Sequence, residues 1–385
     1  MKRAFLYIFL ILAGLKAVSQ QDSIKKKKLK FTTADSTSVL EGNRITQKDD
    51  DDDKAKLIFG GYVSAYYAHY SDETNNGGFV QFPTMAARND QFALNLAQIS
   101  MQYRSKNVRG TVTLHYGDLP ASIWSKDYNL IQEANAGFRI YKKLWLDAGF
   151  FKTHIGIESI QPRENITSSM SVLNFYDPYY LCGAKLTYEV NDKLSVQVNA
   201  FNSYNGFVEN NKNKAFGLSV LYDVNKNISV SYNFITSDET PDDIKTKHQR
   251  YLHNLYATIK ANKLLFGADV NFGTQQNSVT TILKDSAKTA LVYGGLIVAK
   301  YQFIKVFSLY GRGEYFSDPN RAFTGALSIG NYIYGGTFGA EYKPYKTVSF
   351  SMEGRILQSD NLIFKEKGYM TNQRYEIISC LDIWF

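Results

Sequence analysis

The sequence lacks a hydrophobic run long enough for a membrane-spanning helix, which takes roughly 18 apolar residues. Hydrophobic residues still make up 44% of its 385 residues, and the mean hydropathy is -0.29. A helical membrane protein is therefore excluded. Chains that distribute apolar residues in a strict alternation, as β-strands do, are not excluded by this absence.

Cysteine and histidine are also scarce. Cys182 and Cys380 are too few for a disulfide-stapled secreted domain, so both are interpreted as small apolar strand residues. The five histidines show no metal-site spacing, and only His248 and His253 lie near each other. No nucleophile elbow, zinc-protease or phosphate-loop motif occurs. We predict no catalytic site, no metal and no cofactor, although a Ser–His pair assembled only by the fold would leave no motif.

Aromatic residues and glycine are abundant instead. The chain has 28 Tyr, 25 Phe and 27 Gly, against only seven Pro. Aromatic residues without a helical period favour an all-β protein. The net charge of +8 falls to +5 without the three basic residues of the first 19, and the basic run 25–28 is offset by the acidic run 49–53. Nucleic acid is therefore not predicted as a partner.

The N-terminal region has the three parts of a secretory signal peptide. It has a basic start, an apolar core over residues 4–15, and small residues Ala17 and Ser19 at the cleavage positions. We predict a signal peptide over 1–19; a membrane anchor is the alternative, but its apolar core would be short. Residues 20–55 are polar without an apolar period, which indicates a flexible periplasmic tail.

From residue 56 to 385 the sequence repeats one motif, the β-hairpin. Residues 186–201 read LTYEVNDKLSVQVNAF, two strands of alternating apolar and polar residues joined by the turn 191–193. The sequence predicts about sixteen such strands, each of about ten residues. Further tight turns are predicted around 105–107, 142–143, 225–227, 262–263 and 344–346.

The connections between hairpins are long and polar. They cover 71–90, 117–130, 153–178, 204–213, 236–250, 274–290, 317–330 and 358–373. In an antiparallel meander, short turns that alternate with long loops place all turns at one end and all loops at the other. The prediction is a closed antiparallel transmembrane β-barrel of about 16 strands in the bacterial outer membrane, with short periplasmic turns and long extracellular loops.

A soluble β-protein would show the same alternation, but strand length and charge placement favour a membrane barrel. Strands of about ten residues match a tilted membrane crossing, whereas soluble strands are usually about 5 to 6 residues long. Charged residues fall on the polar face, which would line a lumen. We predict a wet lumen with mixed charge and weak selectivity; the alternative is that the charges only hold the wall together. Candidate lining residues are Arg139, Asp147, Lys185, Arg312, Glu314, Glu353 and Arg355.

The longest connection, around residues 154–178, mixes apolar residues with charges. A loop that only projected into the medium would need few apolar residues. We predict that it folds into the lumen and narrows it; the alternative is an external loop packed on its neighbours. Its candidate constriction residues are His154, Glu158, Arg163 and Glu164.

Residues 148–190 resemble the OmpL-like family of β-barrel porins. The matching positions are Phe151, Gly156, Glu158, Asn165, Ser168, Ser169, Pro178, Gly183, Leu186 and Tyr188. Cys182 stands where the pattern has a polar residue. The resemblance implies a porin-like outer-membrane protein without an identified substrate, and many porins are homo-oligomers.

The segment YEIISCLDIWF, residues 375–385, is predicted to be the last strand and to pair with the first strand, 57–67. A terminal aromatic residue resembles the signal of outer-membrane barrels, so we expect Phe385 to be read by the barrel-assembly machinery. The predicted function is passive diffusion of small hydrophilic solutes through a barrel embedded in outer-membrane lipid. The alternative is a surface-binding barrel with a closed lumen, whose long loops bind a ligand or partner.

Overall fold

The computed structural model describes residues 30–33, 55–72, 79, 84–209, 211–281, 284–286, 288–325 and 329–385. Within these residues, sixteen antiparallel strands form one closed barrel. They are β1 Lys56–Tyr70, β2 Gln91–Arg104, β3 Val108–Tyr116, β4 Ile131–Tyr141, β5 Leu144–Lys152, β6 Tyr180–Glu189, β7 Leu194–Phe201, β8 Ala215–Asn225, β9 Ile228–Ser237, β10 Arg250–Ala261, β11 Leu264–Gln275, β12 Ala290–Ile304, β13 Phe307–Ser317, β14 Tyr332–Tyr345, β15 Val348–Ser359 and β16 Gln373–Trp384.

The sheet closes because β1 pairs with β2 on one side and with β16 on the other. Val63 of β1 lies opposite Ile383 of β16. Beyond β16, Gly61 and Phe385 exchange two backbone hydrogen bonds of 2.9 and 3.1 Å. Closure leaves no strand edge exposed. The predicted closed antiparallel barrel of about sixteen strands is confirmed.

Seven short turns lie at one end of the barrel and eight longer connections at the other. The turns cover 105–107, 142–143, 190–193, 226–227, 262–263, 305–306 and 346–347. The loops are L1 (71–90), L2 (117–130), L3 (153–179), L4 (202–214), L5 (238–249), L6 (276–289), L7 (318–331) and L8 (360–372). Six of the turns and all eight loops lie within a few residues of the predicted ones, whereas the turn at 305–306 was not predicted.

Short elements occur within the loops. L2 contains helix α1 (Asp118–Ile123), and L3 contains a 3-10 turn (Pro162–Glu164) and helix α2 (Val172–Phe175). None of the helices in the described part of the chain has the length and hydrophobicity needed to cross a bilayer. Two-stranded hairpins occupy L6 (Val279–Thr281 with Lys284–Ser286) and L8 (Phe364–Glu366 with Tyr369–Thr371).

Strand β16 shows how the alternation sorts the two faces. Its outward side chains Tyr375, Ile377, Leu381 and Ile383 are between 41% and 48% exposed. Its inward residues are buried: Glu376, Ile378, Cys380, Asp382 and Trp384. The outward face therefore meets lipid with apolar side chains. The inward face is not purely polar, as the sequence of this strand predicts.

The barrel interior contains a hydrophobic cluster, which the expectation of a wet polar lumen did not include. Val298 on β12 and Phe316 on β13 point inward and are buried. They belong to one cluster with Ile157, Val172 and Leu173 of L3. This apolar contact excludes water from part of the interior. It is favourable because burying apolar surface stabilises the structure by about 25 cal/mol per Å². The interior is therefore partly a packed core.

The predicted signal peptide, 1–19, lies outside the described residues. Of the predicted tail, 20–55, the structure describes a four-residue strand at Lys30–Thr33 and residue Ala55. Both assignments stay predictions. Cys182 on β6 and Cys380 on β16 are free thiols within strands.

Candidate functional site in the barrel lumen

Loop L3 leaves the wall after β5 and runs through the interior. The backbone N–H of Gly156 donates to Asn254 on β10 at 3.2 Å, and that of Ile157 donates to Asp269 on β11 at 2.8 Å. The N–H of Val172 donates to Glu314 on β13 at 2.7 Å. Strands β5 and β13 are eight apart in a closed sheet of sixteen, so L3 reaches the opposite wall.

Arg312 on β13 is the centre of this attachment. Its Nη1 forms an ion pair with Glu158 of L3 at 2.8 Å and donates to Thr167 Oγ1 and the Ser169 carbonyl, both at 2.6 Å. Its Nη2 lies 3.3 Å from Glu314. The Arg312 side chain has no exposed surface. A buried guanidinium is tolerated only with this density of charged and hydrogen-bonding partners.

The ion pairing continues from Glu314 toward the loop end. Arg355 on β15 lies 2.8 Å from Glu314 and 3.4 Å from Glu376 on β16. Arg374 lies 3.2 Å from Glu376 and 3.1 Å from Asp72 of L1. We call this alternating chain the charge ladder. It consists of Glu158, Arg312, Glu314, Arg355, Glu376, Arg374 and Asp72.

Strand β14 lies between β13 and β15, two of the strands that carry the ladder, and the inward residues at its centre are small. Gly335, Thr337 and Gly339 leave space for the long side chains of β13 and β15. A Cβ on Gly339 would come within 2.6 Å of the Tyr310 ring, and one on Gly335 within 2.6 Å of Leu357. The glycines of β14 therefore permit the contact between Arg355 and Glu314 across an intervening strand.

Glu353 anchors a second point of L3. Its carboxylate accepts from the backbone N–H groups of Ser168 and Ser169 at 2.8 and 2.9 Å. The Tyr310 hydroxyl donates to the same carboxylate at 3.1 Å. Sequence spacing places Glu353 two residues from Arg355, but the structure pairs Arg355 with carboxylates on other strands. Glu353 instead satisfies loop backbone donors that would otherwise be buried without partners.

At the end of L3, Asp177 is held inside a polar cluster. Its carboxylate accepts from Asn174 at 2.8 Å and from Asn271 of β11 at 2.7 Å, and Asn174 also donates to Asp269. Burial raises the pKa of Asp177 well above its ordinary value, and the nearby charges of Asp269 and Glu158 add to this rise. The hydrogen bonds of the two asparagines oppose the shift without cancelling it.

We expect the attachment of L3 to weaken as pH rises. The pKa of Asp177 is raised in the folded loop, so the protonated carboxyl stabilises the attached form of L3. This stabilisation is fully present below the ordinary aspartate pKa. It is lost as the pH rises through the raised pKa of the folded state. Current fluctuations of the reconstituted protein should increase over that range. Asp177→Asn should remove this increase, whereas Asp192→Asn, in an exposed turn, should leave it. Equal pH profiles for wild type and Asp177→Asn would contradict the assignment.

The wall that faces the other side of L3 is more accessible. On this wall the Arg109 guanidinium binds Asp147 through two contacts of 2.5 and 2.7 Å. The Trp145 ring lies 4.4 Å from the Arg109 guanidinium and 4.9 Å from that of Arg139. The Arg109 side chain is 15% exposed, whereas those of Arg312 and Arg355 are 0% exposed. L3 thus covers the charges of β13 and β15 completely, and we call these strands the covered wall. We call the opposite strands, where Arg109 stays partly exposed, the accessible wall, and Ile155 of L3 packs there against Phe151 and Leu181.

The predicted lining residues divide between these walls. Arg139, Asp147 and Lys185 lie on β4 to β6, on the accessible side, where Lys185 lies 4.1 Å from the Phe151 ring. The other four lie under L3, bound to the loop or to each other: Arg312, Glu314, Glu353 and Arg355. The expectation that water solvates all these charges is therefore wrong for these four.

The predicted constriction residues also have different environments. Glu158 is buried and forms an ion pair with Arg312. His154 is also buried, and its Nε2 lies at hydrogen-bond distance, 3.2 Å, from the Phe234 carbonyl oxygen. Burial and then the charge of Lys185 lower the pKa of His154 to about 3, so its ring is neutral at ordinary pH.

Arg163 and Glu164 occupy the more accessible side of L3. The Arg163 guanidinium lies 5.2 Å from the Tyr62 ring and 5.4 Å from the Trp384 ring, on both sides of the barrel seam. Glu164 lies 3.8 Å from Lys152, and both side chains are between 16% and 19% exposed. These two loop residues are therefore less buried than Glu158.

Sequence reasoning missed several residues that hold L3. Among them are Asn254, and the amide chain in which Gln161 of L3 donates to Gln98 and Gln98 to Gln132. A signal existed in the register, because inward asparagines recur opposite each other on β9, β10 and β11. A row of amides on the lumen face indicates that something polar is bound there.

No group of three His, Cys, Asp or Glu side chains in the described ranges could hold a metal ion. His248 donates or accepts at Ser278, and His253 contacts the Tyr232 hydroxyl on the outward face.

Solved structures with similar folds are outer-membrane proteins, among them a channel and a porin. The chain aligns with the channel DcaP of Acinetobacter baumannii at 9% identity, covering 86% of this chain and 97% of that one, with a TM-score of 0.62. The anion-selective porin of Comamonas acidovorans covers 86% and 100% at 9% identity, with a TM-score of 0.57. The trimer form of OmpT from Vibrio cholerae covers 86% and 99% at 11% identity, with a TM-score of 0.55.

These identities show a shared fold and no more. The search of curated proteins found no significant sequence match. A family model described as "Putative beta-barrel porin-2, OmpL-like" matches residues 56–381, the span of the barrel. The family and the fold imply a place in the bacterial outer membrane. The chain therefore belongs to the OmpL-like beta-barrel porin-2 family.

Proposed function

We propose that the protein is a channel for passive diffusion of small hydrophilic solutes across the outer membrane. The observation that carries this proposal is the division of the lumen by L3. The loop is fixed to the wall of β10 to β15, while Arg109, Arg139 and Lys185 remain on the wall of β3 to β6. Solutes would pass between the accessible face of L3 and that wall, without a cofactor or a catalytic step.

Selectivity would follow from the residues that border this passage. Arg109, Arg139, Lys152 and Lys185 on the wall meet Arg163 on the loop. Their acidic counterparts there are Glu133 and Glu164, together with Asp147, which is buried on Arg109. Under L3, the acidic residues Asp269, Glu314 and Glu353 outnumber the basic residues Arg312 and Arg355. The loop therefore removes more acidic than basic groups from contact with solutes. We propose a weak preference for anions rather than a strongly charged filter.

Two bilayer measurements test this function. We expect steady ohmic current after reconstitution in planar bilayers, and a small reversal potential of the sign given by anion preference in a salt gradient. Deleting the middle of L3 should raise the single-channel conductance, because the loop occupies the lumen. Unchanged conductance after the deletion would remove the constriction role, and a cation-selective potential would contradict the lining argument.

A second candidate is a surface-binding barrel with a closed lumen. One observation favours it: many inward polar side chains are less than 10% exposed, among them Asn199, Gln197 and Thr187 on β6 and β7. Absence of current at any voltage, with the barrel correctly folded, would favour this candidate.

Further expectations concern the protein in the cell. We propose export by the predicted signal peptide 1–19, insertion by the barrel-assembly machinery, and an enclosing shell of outer-membrane lipid. One structure of similar fold is described as a trimer form, which supports a homo-oligomer as a proposal for this chain. Crosslinking in intact outer membranes would reveal the number of copies.

A further inference from the structure

The turn end of the barrel carries lysine in every turn. Each of the seven short turns between strands contains at least one, and the turn at 142–143 contains two. The eight lysines are Lys106, Lys142, Lys143, Lys193, Lys226, Lys263, Lys305 and Lys346. All eight are exposed. We call this set the lysine ring.

The ring is nearly free of acidic residues. Asp192 is the one carboxylate in the seven turns, and it lies 3.4 Å from Lys143. The eight long loops at the other end contain seventeen acidic and twelve basic residues by sequence. The two ends therefore differ in sign: the turns sum to +7 and the loops to -5. Alternation of strands does not require such an asymmetry, because turn residues are free of packing constraints.

Aromatic side chains on the outward face fix the depth of the ring in the membrane. Tyr141, Tyr188 and Tyr222 are exposed and lie within a few residues of the turns. Tyr301 and Tyr345 take the same position on β12 and β14. Exposed tyrosines of a barrel lie at the headgroup level. The lysines, one to five residues farther on, reach the phosphate layer of the periplasmic leaflet.

We propose that the lysine ring binds the anionic headgroups of phospholipids in the periplasmic leaflet of the outer membrane. Ammonium groups on flexible stems reach from the turns to phosphates, and many of them around a circumference act together. The lipids bound would be those with net negative charge, such as phosphatidylglycerol. Lysine supplies a compact point charge on a flexible stem, which can follow a mobile headgroup without a fixed bidentate geometry.

Spin-labelled lipids test the proposal on the full chain reconstituted in phosphatidylcholine bilayers. The measured quantity is the ratio of the association constants of spin-labelled phosphatidylglycerol and phosphatidylcholine for the barrel surface. We expect a severalfold preference for phosphatidylglycerol at low salt. It should fall toward one at about 0.5 M salt, where screening shortens the Debye length to a few ångströms.

Two variants that each remove four positive charges show whether the lipid preference arises from the turns or from the loops. The turn variant replaces Lys143, Lys226, Lys305 and Lys346 by Gln. The loop variant replaces Lys126, Lys212, Lys245 and Lys367 by Gln, all exposed in the long loops. The turn variant should lose most of the preference and the loop variant should keep it. Gel mobility of the unheated protein verifies that both barrels are folded.

Three outcomes would overturn the proposal. One is a wild-type ratio of one, and another is an equal loss in the turn and loop variants. The third is tight binding of soluble polyglutamate to the wild type but not to the turn variant, combined with no lipid preference. That result would assign the ring to an acidic periplasmic partner instead of the membrane.

Discussion

Arg312→Ala should release L3 and change the channel more than any other single substitution in the lumen. We expect larger and noisier single-channel currents in planar bilayers. The variant removes the ion pair with Glu158 and the contacts with Thr167 and Ser169 in one step. Breaking a buried pair by removing one partner costs about 3–5 kcal/mol. Such a loss raises the population of the detached loop by a factor on the order of 100 or more.

The expected increase in current follows from the charges that remain after the substitution. Glu158 and Glu314 stay buried without their central cation, and like charges then face each other across the loop contact. The loop can relieve this repulsion by leaving the wall, whereas the wall strands cannot move apart in a closed sheet. Detachment therefore restores water to Glu158 and frees the covered side of the lumen.

A matched pair of variants distinguishes charge from volume. Arg312→Met preserves much of the volume and should behave like Arg312→Ala. Lys126→Ala, in an exposed part of L2, should leave the current unchanged. The double variant Arg312→Met with Glu158→Gln should recover part of the wild-type trace, because it removes the stranded carboxylate. Currents of Arg312→Ala equal to those of wild type would show that other contacts alone retain L3.

Alternation with a period of two was sufficient to predict the barrel, because lipid imposes one rule on every outward position. On β16 the sequence indicates which residues face lipid and which face the lumen, and the structure agrees residue by residue. Six of the seven turn positions followed from polar turn residues between alternating runs, whereas Lys305 and Val306 lie within an apolar run and their turn was not predicted. These are local properties, so no tertiary information is needed to read them.

The partners inside the lumen could not be predicted in the same way. Residues two apart on one strand are about 7 Å apart, so the spacing of Arg355 and Glu353 does not make them partners. Arg355 reaches Glu314 because small residues occupy the intervening strand β14. That contact depends on β14 side chains and on L3 covering the wall. Both are properties of the assembled barrel that one strand does not encode.

The mixture of apolar and charged residues in L3 corresponds to two kinds of contact with the wall. Ile157, Val172 and Leu173 bury apolar surface against β12 and β13, and Glu158 meets Arg312. Sequence alone could not tell anchors from lining residues, since both are charged. The distinction lies in exposure, which divides Glu158 from Arg163 and Glu164.

Removing Phe385 should lower the amount of assembled barrel in the outer membrane, and this is the second large effect we expect. Its backbone N–H and C=O bond Gly61 of β1, and its ring covers the space where a side chain on Gly61 would lie. The two hydrogen bonds together stabilise the seam by on the order of 2 kcal/mol. That is too little to abolish folding of a barrel closed by nine further residue pairs between β1 and β16.

Comparing protein refolded in detergent with protein assembled in cells therefore separates recognition by the assembly machinery from stability of the barrel seam. If Phe385 is read by the assembly machinery, the truncated chain should refold in detergent with near wild-type heat resistance but accumulate poorly in cells. Gly61→Val gives the converse test. A Cβ at residue 61 would come within 2.2 Å of the Phe385 ring, so the ring must move while the terminal aromatic remains. This variant should lose heat resistance at the seam yet still reach the outer membrane. Equal loss of both properties in both variants would reduce Phe385 to a seam residue. It would then share that task with Arg163, which contacts Tyr62 and Trp384 on the two sides of the same seam.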